Sequence, residues 1–452
     1  MESVIPRVVL AGAGSGHGKT TAACALMQAF TDMGVNVGAF KCGPDYIDPM
    51  FHRHITGRGT NLDPFFFSAD TLGYLLDRYG TKDGINIIEG VMGYYDGIGL
   101  SDEASTYAAA KAASCPVVLI LGAGGAALSL LAELEGFARF RPDSGIRGVI
   151  FNRCPPSIYP SLASAVNERF SGAIRPLGYL PSMPDCSLES RHLGLVTAAE
   201  VDGLDEKLAE LSRRAKESVD LQGLLELARS AEKLSFRPPE LPEAGESVRI
   251  AVARDRAFCF YYEDSLDLLR DMGAELIPFS PLDDDRLPKD IHGLYLGGGY
   301  PELYADRLSE NLSMRSDILA ALSRGRIACI AECGGFMYLT RAIAGRPMVG
   351  FLDGECSDAG RLTRFGYIRL RAGKDCMLCP EGGEIAAHEF HHWDCTLPGT
   401  DFTAEKPTGR KWACGAATDR LYAGFPHFNF LSEPGFALNF YKTCLEVKHA
   451  ND

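Results

Sequence analysis

The chain has 452 residues, of which 46% are hydrophobic and 23% charged, enough apolar content for two or three domains and too much for a disordered chain. Its 45 Lys and Arg against 59 Asp and Glu leave a net charge of −14. That argues against broad nucleic-acid or anionic-membrane binding, and any anionic substrate must be held by a local basic patch.

In chain order, strand-like RVVLA (7–11) comes almost at once and runs into a glycine loop, unlike a secretory leader. Apolar runs at 7–11, 35–40, 85–89, 116–121, 147–151 and 176–180 alternate with amphipathic stretches such as 19–33, 104–113 and 126–138. This alternation predicts right-handed βαβ units and a mostly parallel sheet covered on both faces. The uncharged run from Cys115 to Ala132 opens on Pro116 and is broken by Gly122, Gly124 and Gly125. It reads as a strand, a loop and a helix start rather than a bilayer span. Residues 199–233 are charged and helix-periodic, expected as surface helices leading out of the domain, and the proline-rich segment that follows is expected as a linker. A second α/β pattern starts at VRIAVA (248–253), with a helix near 263–272, strands at 275–279 and 293–296, a helix at about 302–323 and a strand at 326–331. Beyond residue 345 the pattern is more β-like, closing on a strand near 420–424. The expectation is an α/β protein of two domains, 1–235 and 248–446, joined by a linker at 236–247. The fourteen Cys show no small-scaffold spacing and read as thiols of a cytoplasmic protein, mostly buried.

AGAGSGHGKTT (11–21) directly follows the first strand and precedes an amphipathic helix. In that context Gly14, Ser15, Gly16, His17, Gly18 and Thr21 form a backbone cradle for the phosphates of ATP. Lys19 reaches the β- and γ-phosphates, and Thr20 places its hydroxyl on Mg²⁺. Ala13 stands where the strict pattern has glycine. GPDYIDP (43–49) and EGVMGYYDG (89–97) follow the next two strands, bringing Asp45, Asp48, Glu89 and Asp96 to the same sheet edge. A triphosphate with Mg²⁺ needs one or two carboxylates. The surplus points to a role in the chemistry, with helix capping as the alternative.

GRIACIAECGGFMYL (325–339) is an apolar strand running into Glu-Cys-Gly-Gly and a helical segment. A nucleophile on such a turn needs small neighbours, and a helix N-terminus favours the thiolate of Cys333. The glycine loop of GLYLGGGYPE (293–302) offers N–H groups, Gly298 among them, that with Gly334 can form an oxyanion hole. His427 in LYAGFPHFNF (421–430) is the candidate base. A zinc site on Cys376, Cys379, Cys395, Cys414 and the histidines of HEFHH (388–392) is the weaker reading, because a single CxxC lacks a second pair at fixed spacing.

The ordered set KCGPDYIDP, EGVMGYYDG, SRHLGLV, AVARDRAFCFYY, LYLGGGYPEL, ECGGFMYL, RFGY and HEFHH resembles the cobyrinic acid a,c-diamide synthases, over nearly the whole chain. The resemblance implies an N-terminal P-loop domain related to dethiobiotin synthetase and a C-terminal glutaminase domain. ATP would phosphorylate a peripheral carboxylate of the tetrapyrrole, and ammonia from glutamine would displace the phosphate, at side chains a and c in turn. Cys333 would be the glutaminase nucleophile and His427 its base, while Gly12 to Thr21 would hold ATP. Thr20, Asp45 and Glu89 would bind Mg²⁺ or the activated carboxylate. The family usually reads Tyr-x-His-x-His near the last site; here Phe425-Pro426-His427-Phe428-Asn429 keeps the first histidine only. A related triad has a carboxylate two residues after the histidine, so a Cys–His dyad is expected. The tetrapyrrole carboxylates are expected to meet Tyr46 and basic residues from His52, Arg53, His54, Arg58, Arg191 and His192. Ni-sirohydrochlorin and hydrogenobyrinic acid fit the same residues, a homodimer is compatible with them, and a P-loop switch ATPase is the rival of another class.

Overall fold

In a computed structural model, which describes residues 1–186, 190–191 and 194–195 (backbone) and 197–451, contacts divide the chain into two units, Met1–Pro239 and Glu240–Asp452. In the first, the apolar runs form Arg7–Gly12 (β1), Val37–Cys42 (β2), Thr60–Leu62 (β3), Ile85–Glu89 (β4), Val117–Gly122 (β5), Ile146–Asn152 (β6) and Arg175–Leu180 (β7). They pair in parallel in the order β3-β2-β4-β1-β5-β6-β7. β1 and β4 are buried at every position, which is why they read as unbroken apolar runs rather than alternating ones. Helices Lys19–Asp32 (α1) and Asp48–Thr56 (α2) follow β1 and β2. Because all seven strands run the same way, the loops after β1, β2 and β4 gather at one carboxyl edge.

The charged segment 199–233 does not lead away from this unit. Its helix Leu204–Ser218 (α3) buries Leu208, Leu211 and Ala215, and Ser212 Oγ and Lys216 Nζ bond Asp32 at the end of α1 (2.5 and 2.7 Å). The chain then returns to its start, where Leu234–Ser235 pairs antiparallel with Glu2–Ser3. An amphipathic helix with a charged outer face looks like a surface helix in sequence, but its leucine stripe needs a partner. The run 115–132 becomes β5, a loop and the start of helix Ser129–Phe140. Among the described residues no helix is long and apolar enough to cross a membrane.

The second unit carries Val248–Ala253 (β8), Phe258–Phe260 (β9), Ala274–Phe279 (β10), Gly293–Leu296 (β11), Gly298–Gly299 (β12), Ala328–Glu332 (β13), Arg364–Ala372 (β14), Glu384–His391 (β15), Phe402–Glu405 (β16), Lys411–Cys414 (β17), Ala416–Ala417 (β18), Leu421–Gly424 (β19) and His427–Phe428 (β20). One sheet has the order β10-β8-β11-β13-β19-β18, parallel except for its last pair. A second, antiparallel sheet has the order β17-β16-β14-β15-β20. Helices Glu263–Asp271 (α4) and Gly334–Leu339 (α5) follow β9 and β13. The core collects Phe258, Leu294, Ile318, Phe336 and Leu339, so the turn from β13 to α5 is anchored on both sides.

Candidate active sites

In the first unit, β1 ends at Gly12 and the loop closes on Gly18, whose φ is 83°. A Cβ there would stand 2.0 Å from Asn152 Nδ2, so both the backbone conformation and the space require glycine. Asn152, the last residue of β6, donates from Nδ2 to the His17 carbonyl (2.9 Å). It braces the loop from another strand, which no sequence motif marks. Lys19 folds over the loop, its Nζ donating to the carbonyls of Gly14 (2.9 Å) and Met92 (2.5 Å). Burial, and after it the cation of Lys41, bring the Lys19 pKa down to about 8. Gly14, Ser15, Gly16 and His17 are half-buried or exposed, and Thr20 and Thr21 lie in the first turn of α1.

Thr20 Oγ1 donates to Glu89 Oε1 (2.6 Å) and lies 3.3 Å from Asp48 Oδ2. Lys41, from β2, bonds the same Glu89 oxygen (2.9 Å) and pairs with Asp48 Oδ2 (2.5 Å). His52 Nε2 sits 2.7 Å from Glu89 Oε2. Lys41, Asp48, His52 and Glu89 are all buried. Burial alone would raise the Glu89 carboxyl, but Lys41 and His52 hold it far below the usual carboxylate range. Asp48 is pushed well up by burial, then by Asp45 and Glu89. Lys41 keeps its proton despite burial because Asp48 and Glu89 face it.

Several expected residues take other positions. Asp45 Oδ1 accepts the N–H groups of Ile47 (2.8 Å) and Asp48 (3.0 Å), closing the turn that leads into α2. Asp48 therefore stands against Thr20 where Asp45 was expected. Asp96 is exposed and accepts the Gly93 N–H (3.0 Å) within its own loop. His52 is buried against Glu89 and cannot clamp a substrate, and His54 pairs with Asp205 (2.6 Å). Tyr46 is half-buried and Arg58 exposed. Arg191 lies in the two-residue strand Ser190–Arg191, with its side chain outside the described residues, as is the whole of His192.

In the second unit, Cys333 occupies the turn between β13 and α5 at φ 47°, ψ −102°, a conformation that costs a non-glycine residue about 1–3 kcal/mol. Its N–H is tied to the Gly424 carbonyl (2.8 Å). His427, at the start of β20, is buried and interacts electrostatically with Cys333. Burial pulls the His427 pKa down, but Cys333 and Glu332 outweigh it and raise it to about 10. A Cβ on Gly298 would stand 2.4 Å from His427 Cε1, so Gly298 makes room for the ring. The Gly299 N–H, one residue on, lies 3.1 Å from where a Gly334 Cβ would be. With its pKa raised, His427 is a cation beside the thiol.

The expected metal ligands are spread out. Cys376 Sγ contacts the Cys379 carbonyl (3.5 Å), Cys395 is the cross-strand partner of Cys356, and Cys414 ends β17. All fourteen cysteines are free. Among the described residues no group of three or more His, Cys, Asp or Glu is placed to hold a metal ion. Burial pushes His388 down to about 3 and His391 down to about 4, and raises Glu389 to about 7.

A phosphate loop facing buried carboxylates in one unit, and a strained cysteine beside a histidine in the other, define a nucleotide-binding amidotransferase class. Residues 8–230 match the CobQ/CobB/MinD/ParA nucleotide binding domain, and residues 249–435 the CobB/CobQ-like glutamine amidotransferase domain. The chain is 40% identical over 435 residues to the cobyrinate a,c-diamide synthase of Clostridium acetobutylicum, covering 95% of this chain and 98% of that one. It is 40% identical over 437 residues to that of Listeria monocytogenes, covering 94% and 96%. The chain belongs to the cobyrinate a,c-diamide synthase family.

Proposed function

We propose that this protein is a glutamine-hydrolysing ligase that amidates the a and c carboxylates of cobyrinic acid, using ATP to activate each acid. The observation that carries the reading is the pairing of Cys333, held at positive φ, with His427 in a chain that also holds the Lys19 loop. The Cys333 thiolate attacks the glutamine amide carbon and forms a C–S bond. The C–N bond breaks, and the His427 proton goes to the departing nitrogen, which leaves as ammonia. Water then cleaves the thioester to glutamate and the thiol. The Gly334 N–H, with those of Gly298 and Gly299 in the adjacent glycine loop, would hold the developing oxyanion.

In the first unit, loop residues 14–18 with Thr21 bind the phosphates. Lys19 exchanges the Gly14 and Met92 carbonyls for phosphate oxygens. Thr20 Oγ1 converges with Glu89 Oε1 and Asp48 Oδ2, hard oxygen donors of the kind that suits Mg²⁺. When bound, Mg²⁺ would neutralise charge on the transferring phosphoryl group. Tyr46 and Arg53, both half-buried, and the exposed Arg58 are candidates of this region for meeting the macrocycle; Arg191 and His192 are further candidates for its unreacting carboxylates.

The test is incubation with ATP, glutamine and a panel of cobyrinic acid, hydrogenobyrinic acid and Ni-sirohydrochlorin, read by mass spectrometry. Each amidation replaces OH by NH2, a loss of about one mass unit. Two such steps on cobyrinic acid are expected, and none on any tetrapyrrole would refute the reading. A P-loop switch has no use for Cys333 and His427, and no observation here favours it.

A further inference from the structure

The residue just before the nucleophile, Glu332, ends β13, whose other four residues are apolar and buried. A carboxylate in that setting is costly unless it is well partnered. Its Oε2 accepts the Tyr295 hydroxyl (3.2 Å) and its Oε1 the Phe428 N–H (3.3 Å). His427 also faces it, with Nδ1 3.8 Å from Oε2. That is longer than a hydrogen bond, and such contacts in resting enzymes tighten when substrate binds. Tyr295 remains a proton donor, because burial and then Glu332 push its hydroxyl far above its usual pKa.

Position 429, where the related triad carries its carboxylate, is engaged elsewhere. Asn429 Nδ2 donates to Asp264 Oδ2 on α4 (2.7 Å), and Asn429 Oδ1 accepts the Leu431 N–H (2.8 Å). The other titratable groups around His427 are Cys333, its cross-strand partner His388, Glu389 and His391. Both histidines are held neutral by burial, and Glu389, raised to about 7 by its own burial, acts on His427 through charge alone.

We propose that Glu332 is the positioning residue of this site: held by Tyr295 and Phe428, it orients the His427 ring by its Nδ1 edge and stabilises the imidazolium while Cys333 attacks glutamine. The Cys–His dyad thereby becomes a triad whose acid precedes the nucleophile in sequence. This inference rests on the glutaminase reading of the second unit.

The sign of its pH dependence follows from the geometry. With Glu332 beside it, His427 keeps its proton through neutral pH, which sets a cation next to Cys333. Glu332→Gln keeps an acceptor for Tyr295 but removes the charge, so His427 loses its proton at lower pH and the cation beside Cys333 weakens near neutrality. The experiment compares the full-length wild type with Glu332→Gln, Glu332→Asp and Tyr295→Phe. It measures glutaminase kcat and KM, and the pH profile of iodoacetamide alkylation at the Cys333 peptide. For Glu332→Gln, kcat should fall about 100-fold with KM nearly unchanged, and alkylation near pH 7 should slow. Glu332→Asp should recover part of both effects, and Tyr295→Phe should show a smaller shift of the same sign. Wild-type kcat and profile in Glu332→Gln would overturn the proposal. So would an unmoved profile in Tyr295→Phe if Glu332→Gln fails to fold. A wild type that neither hydrolyses glutamine nor alkylates at Cys333 would instead refute the glutaminase reading beneath it.

Discussion

Lys19 and Lys41 are neighbours in one cluster, yet their bonds give them different work. Lys41 is committed to two buried carboxylates, whereas Lys19 holds only carbonyl oxygens that phosphate oxygens can replace. Lys19→Ala should therefore lower ATP-driven amidation by about 1,000-fold or more, with glutamine hydrolysis at Cys333 retained at least in part. The comparison is a kinetic assay of both half-reactions, and full amidation at limiting ATP would contradict the assignment. Lys19, Thr20 and Cys333 were legible in sequence because each sits in a strand–loop–helix motif whose spacing carries its meaning. Lys41, His52, Asn152 and Glu332 were not. Lys41 lies within a strand, His52 reads as one more surface basic residue, and the contacts of Asn152 and Glu332 are made across 135 and 95 positions of chain. For Glu332 the clue was present, a charged residue at the end of an otherwise apolar run.

Helix α2 brings Asp48 and His52 to the phosphate loop, and its start depends on Asp45. Removing its two turn hydrogen bonds with Asp45→Ala should cost about 1 kcal/mol, whereas Asp45→Asn keeps an acceptor and should stay within a few tenths. Thermal unfolding of the full chain checks this, and equal midpoints for the alanine variant and wild type would remove the turn-closing role. Activity in Asp45→Asn then reports the charge alone. The strands buried on both faces were easily legible, since their apolar runs match the sheet within a residue or two. The three-residue edge strand β3 was too short to show a period. The expected helix at 302–323 is two, Ala305–Glu310 and Leu312–Ser323, separated at Asn311. Asn311 accepts the Met314 N–H (3.2 Å), an N-cap signal that sequence could have supplied. The C-terminal helix Pro434–Asn451 was missed as well, although Pro434 at its first position is a start signal.

At the scale of the molecule, one unit holds a phosphate loop and the other a cysteine site, and the central claim is that they perform separable half-reactions. The most direct measurement is amidation of cobyrinic acid by Cys333→Ala, driven in parallel by glutamine and by high ammonium at alkaline pH with ATP present. Loss of the thiol removes the covalent route to ammonia but touches nothing in the P-loop unit. Glutamine-driven product should vanish while ammonium-driven product persists near the wild-type rate. Retention of glutamine-driven turnover would place the nucleophile at another of the fourteen cysteines. Loss of both, in a variant that still folds and binds ATP, would contradict the two-site account.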